Sequence, residues 1–154
     1  MKELFEYRRK LMERLSDAAK EFQATCLAVK DPYALLDDGW NVHQIAVHTR
    51  DVNELVYGLR VRRTAAEDNP EFPNFDGNVY LAENYNAGEA LDEVLNTFIQ
   101  STEALVNLLR TLPVEAWSRI SRHSTLGNGL TLQSWVEKNL AHIEEHLATV
   151  KRAK

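Results

Sequence analysis

The chain has 154 residues, 44% of them hydrophobic, with 18 basic and 23 acidic side chains and a formal charge of −5. That length suits one compact domain, residues 1–154, with a core large enough to stand without disulfides. The mild acidity gives no electrostatic footprint for nucleic acid or for an anionic membrane.

Four helices are predicted in chain order. In the first, Leu4, Arg8, Leu11, Leu15, Ala18, Phe22 and Cys26 recur at steps of three and four, until Pro32 forbids continuation. Cys26, the single cysteine, reads as an inert core residue. The second helix opens with a capping box, Asn41 with Gln44, and Trp40 and Ile45 suit a hydrophobic staple. Its face runs through Ile45, His48, Val52, Leu55 and Leu59.

Residues 66–86 are broken by Asn69, Pro70, Pro73, Asn74, Gly77 and Asn78, with Phe72, Phe75, Tyr80 and Tyr85 between them. A loop of that length in a small domain points to function, and its aromatics point to packing on the bundle. A second capping box, Asn86 with Glu89, predicts the start of the third helix. Leu91, Leu95, Phe98, Thr102, Leu105, Leu109 and Leu112 form its stripe, and Pro113 ends it. After a loop holding Trp117, His123, Gly127 and Gly129, Thr131 caps the fourth helix, whose seam is Leu132, Trp135, Asn139, His142 and His146. No apolar alternation of the strand type competes. The fold class is all-α, a four-helix bundle with a long loop between helices two and three.

Charges interrupt every apolar run near the N-terminus, and no stretch approaches the roughly 20 apolar residues of a membrane span. The expected setting is the cytoplasm.

The histidines carry the chemistry. His142 and His146 stand four apart on one helix, so both rings share a face one turn apart, and His48 lies on the inward seam of another helix. Three imidazoles meeting in a bundle form a half-shell for a divalent metal that leaves positions open for water or substrate. The alternative is three core histidines, each needing a polar partner, one of which Asn139 offers. His43, five residues before His48, points away and is expected near the surface. His123 is expected as a solvated loop residue. The run His142-Ile143-Glu144-Glu145-His146 formally matches an inverted protease pattern, but no Glu precedes any histidine by three residues as di-iron bundles require. Neither a phosphate loop nor a serine elbow is present.

Trp40-Asn41-Val42-His43-Gln44-Ile45-Ala46-Val47-His48-Thr49-Arg50-Asp51 resembles the helix-two signature of the DinB/YfiT-like superfamily. Leu112-Pro113-Val114-Glu115-Ala116-Trp117, Gly129-Leu130-Thr131-Leu132 and the His142–His146 run resemble further segments of it, in the right order. The resemblance implies one mononuclear site in which His48 matches the helix-two ligand and His142 and His146 the helix-four pair. It implies zinc or nickel, frequent homodimers, and transfer of a low-molecular-weight thiol to a small electrophilic substrate, thiol-dependent isomerisation or hydrolysis. A non-catalytic metal-binding or dimerising bundle is the other reading. One departure from the family pattern is Thr149, where Gln is common. Asp51, one turn from His48, is a candidate to orient a ligand ring or bound water, set against a plain solvated carboxylate. Tyr57, Arg60 and the aromatics of residues 72–85 are candidates to line a cleft.

Overall fold

The computed structural model describes residues 1–153. Helix α1 (Lys2–Ala28) buries Arg8, Leu11, Leu15, Ala18, Ala19, Phe22 and Cys26 along one stripe, as its spacing predicts. Helix α2 (Val42–Val52) starts on the expected capping box. The Gln44 N–H donates to Asn41 Oδ1 at 2.7 Å, and the Asn41 N–H donates to Gln44 Oε1 at 2.9 Å.

The helix then departs from regular α geometry. Residues Asn53–Gly58 form a π turn before α geometry resumes in α3 (Leu59–Ala66). A π turn takes in an extra residue, so every later side chain is rotated from its straight-helix position. Leu55 and Leu59, assigned to the inward face by spacing, are therefore 43% and 42% exposed, while Val56, Arg60 and Val61 are buried. Asn53 ties the turn to the bundle, its Nδ2 donating to Ser101 Oγ and Thr102 Oγ1 at 2.9 and 3.2 Å. Gly58 is required by contact: a Cβ there would lie 2.8 Å from the Asn53 carbonyl oxygen.

The long second connection is largely ordered. It holds strand β1 (Glu71–Phe72) and helix α4 (Gly77–Asn84), capped by the Asp76 carboxylate, which accepts the N–H groups of Asn78 and Val79. Helix α5 (Leu91–Thr111) begins later than the Asn86–Glu89 capping box predicts. Arg50 claims the Glu89 carboxylate in a two-pronged pair at 2.5 and 3.2 Å, and Asn86 Oδ1 accepts the Gly88 N–H instead.

The third connection adds a small sheet to the expected helical bundle. Strands β2 (Ile120–His123) and β3 (Gly127–Thr131) form an antiparallel hairpin, and β1 adds to β2 in parallel, pairing Phe72 with His123. Gly127 and Gly129 adopt φ of 103° and 71°, open to glycine at little cost. The inward residues of β2, Ser121 and His123, are polar, which hides its alternation from a hydropathy reading. β3 runs directly into α6 (Leu132–Lys151), whose Ser134 N–H is capped by Thr131 Oγ1.

Helices α1, α2–α3, α5 and α6 make the four-helix bundle. Both α1 and α2 pack mainly on α5 and α6, so α1 and α2 sit diagonally despite being consecutive. The core includes Leu15, Phe22, Ile45, Leu95, Phe98, Leu105, Trp135 and Ile143. No helix among the described residues is long and apolar enough to cross a membrane.

Gly58→Ala is expected to destabilise the fold by about 1–3 kcal/mol, because the methyl must displace helix backbone rather than a flexible side chain. Urea unfolding checks this. An unchanged midpoint would mean that the π turn relaxes without cost.

Candidate metal centre

Helix α2 delivers His48, and α6 delivers His142 and His146, with all three rings half-buried. His142 Nε2 lies 3.1 Å from His48 Nε2 and 3.0 Å from His146 Nε2. One ligating nitrogen from each ring falls within 4.8 Å of the other two. In a tetrahedral zinc site with bonds of about 2.0–2.1 Å, two nitrogens stand roughly 3.3 Å apart, so the spacing is close to what an ion needs.

Hydrogen bonding alone does not satisfy this arrangement. A neutral imidazole has one N–H and one lone pair. His142 Nε2 faces two other Nε2 atoms, yet with a single proton or a single lone pair it can complete a full hydrogen bond to only one of them. A cation would use all three Nε2 lone pairs at once. The donor set therefore fits one divalent metal.

Electrostatics point the same way. Burial, reinforced by the His146 charge, pushes His48 down to about 4. Burial, with His146 and then His48, pushes His142 down to about 3. His146 is also lowered by burial, partly offset by Glu145 and Asp38. All three rings are thus neutral near pH 7, as ligands must be.

Neighbouring groups hold the rings in place. Trp40 meets His48 edge-on with ring centres 5.0 Å apart, and Tyr57 leans on His142 at 5.7 Å. Gly77, at the start of α4, lets backbone approach so closely that a Cβ would lie 2.7 Å from His48 Cε1. Two recesses meet at the triad. One, of ≈ 280 Å³, is lined by His48, Val56, Tyr57, Arg60, Phe75, His123 and His142 among others. The other, of ≈ 490 Å³, is lined by Asp38, Trp40, His48, Gly77, Asn78 and His146.

The remaining expectations fare unevenly. Tyr57, Arg60 and Phe75 do line a recess. The Asp51 carboxylate pairs with Arg50 Nε at 3.0 Å, which spends it on the Arg50–Glu89 network. The Asn139 amide is fully buried, but neither of its polar atoms has a hydrogen-bond partner, so it does not serve His142.

Two histidine expectations are overturned. His43 is not near the surface but 0% exposed: its Nε2 donates to the Glu89 carbonyl at 2.7 Å and its Nδ1 accepts from the Tyr85 hydroxyl at 2.6 Å. The inward face at the start of α2 is wider than one seam, and the segment before α5 closes over it. His123 is not a solvated loop residue but lies in β2, 5% exposed, because β1 and the hairpin fold it against Arg60 and Trp135. The roles of Gly77 and His123 escaped the sequence reading. The only signal for Gly77 was its place in the aromatic-rich connection.

The DinB superfamily profile matches residues 6–150. The chain belongs to the DinB superfamily. This DinB chain is similar in structure to YfiT from Bacillus subtilis, described as a probable metal-dependent hydrolase with an unusual four-helix bundle topology. The TM-score is 0.79 at 21% identity, covering 94% of this chain and 84% of that one, a likeness of fold. No curated protein is significantly similar in sequence.

Two predictions follow from this geometry. Gly77→Ala is expected to push the His48 ring aside and weaken zinc binding roughly 10–100-fold with helix content preserved, read by competition with a chromogenic chelator. Unchanged affinity would show that the ring yields freely. In the metal-free protein, folded-state values near 4 and 3 against about 6.5 unfolded mean that the unfolded chain binds more protons across that interval. Stability is then full above about pH 6.5 and falls on acidification toward pH 4. Urea midpoints against pH should show that slope, flattened in His48→Ala/His142→Ala. An equal slope in the double variant would assign the acid sensitivity elsewhere.

Proposed function

We propose that the protein is a mononuclear metal-dependent enzyme acting on a small molecule, with His48, His142 and His146 as the ligands of one divalent ion, zinc or nickel. The observation that carries this reading is the meeting of three neutral Nε2 atoms where two recesses join. When bound, the ion would supply Lewis acidity that lowers the pKa of a thiol or water to near neutrality.

The chain's own groups define the rest. Two recesses on either side of the triad suit two reactants, a low-molecular-weight thiol and an electrophile, which favours thiol S-transfer. Tyr57, Val56 and Phe75 give the smaller recess apolar walls that exclude water from the reacting groups. Asp38, which accepts the Trp40 N–H at 3.1 Å, borders the larger recess beside His146. As a carboxylate on the wall of that recess, it would receive a proton from a thiol or water held there. Hydrolysis is the second reading, favoured by the structural likeness to YfiT and needing only water in place of the thiol.

The test is a paired assay of zinc- and nickel-loaded protein: conjugation of glutathione, bacillithiol or mycothiol to a fluorogenic electrophile, and hydrolysis of activated esters and amides. Thiol conjugation is expected, lost on chelation, restored by metal, and reduced roughly 100-fold or more in His48→Ala. Asp38→Asn should lower kcat more than it raises KM. Hydrolysis without conjugation would select the second reading. Activity that survives chelation and His48→Ala would contradict both.

A further inference from the structure

The ≈ 280 Å³ recess contains an unusual pair of donors. His123 Nδ1 lies 3.1 Å from the backbone nitrogens of both Thr125 and Leu126. Backbone N–H groups only donate, so Nδ1 accepts and the ring proton belongs on Nε2. Yet Nε2 lies 3.4 Å from Arg60 Nη2, and a guanidinium has no acceptor. Two donors face each other. The opposite tautomer would aim an N–H at two backbone N–H groups, and a protonated ring would set a second cation beside Arg60. Burial and the Arg60 charge hold the His123 pKa below its ordinary value, in keeping with a neutral ring.

Arg60 is equally short of partners. It is 7% exposed, and among the described residues it forms no ion pair. Its one backbone acceptor is the Pro73 carbonyl, at 3.3 Å. Otherwise it lies over the Trp135 ring at 4.7 Å, with Phe72 and Tyr57 beyond. Glu145 borders the adjoining recess without pairing to it. A largely buried cation without a counter-charge is costly, and it is the π turn that rotates this one inward.

We propose that Arg60 and the Nε2–H of His123 form an oxyanion-binding subsite beside His142, which takes the carboxylate or phosphate oxygen of a small anionic ligand. An oxygen between them accepts from both donors and supplies the missing charge. That the ligand is the enzyme's substrate rests on the metal-dependent reading above; the subsite itself needs no metal.

The experiment is a side-chain nitrogen NMR titration of the full chain with sodium acetate and with inorganic phosphate at constant ionic strength, first metal-free and then zinc-loaded. In the wild type the His123 proton is expected on Nε2, and its resonance should shift saturably. Saturation by acetate assigns a carboxylate ligand; saturation by phosphate alone assigns a phosphate. Arg60→Gln should abolish the shift, and Arg60→Lys should weaken binding roughly 10-fold while keeping it. A proton on His123 Nδ1, no saturable shift with either anion, or an undiminished shift in Arg60→Gln would overturn the proposal. The metal-free arm reads out even in a protein that takes no zinc, so failure of the metal reading and failure of the subsite are separate results.

Discussion

Three imidazole nitrogens turned toward one point, each on a neutral ring and with His142 Nε2 shared between the other two, set the terms for this molecule. Burial strips His48 and His142 of their affinity for protons, and the packing of α2 against α6 keeps the lone pairs facing one another. In water such rings would turn outward and be solvated. Here they are wedged by Trp40 on one side, Tyr57 on another and the backbone of Gly77 on a third. The cost of holding them together makes sense when a cation is the common partner.

The rest of the fold reads as support for that point. The Asn41 capping box fixes where α2 begins, and so which residue, His48, faces α6 about two turns later. His43 and Arg50 bind the segment before α5 through the Glu89 carbonyl and carboxylate, locking α2 from its other side. The π turn lets the same helix present histidine at one level and arginine at the next. Beyond it, β1 and the β2–β3 hairpin lay His123 against Arg60. A regular helix with a flexible third loop would give the triad without its polar recess.

Local rules made the bundle and the triad legible in the sequence. Steps of three and four, Asn41 with Gln44, Pro113 after the third helix and Thr131 before the fourth all act within a few residues, and all hold in the structure. The misses arise where a distant partner outweighs a local preference. Glu89 was a plausible cap until Arg50 took its carboxylate. Leu55 and Leu59 followed the helical period until a π turn, set by Gly58 and by Asn53's bonds to α5, shifted it. His43 and His123 look exposed when only their own seam or loop is considered, and both are buried by segments distant in sequence. The hairpin went unseen because its inward side chains, Ser121 and His123, are polar.

The most direct measurement is the metal content of the purified protein by elemental mass spectrometry, before and after incubation with zinc and nickel, compared with His142→Ala. The account predicts close to one equivalent in the wild type and a near-complete loss in the variant, since His142 Nε2 is the nitrogen that touches both of the others. A wild-type protein that takes up no metal under either condition would contradict it, and would leave the three rings as a core cluster sharing hydrogen bonds at His142 Nε2.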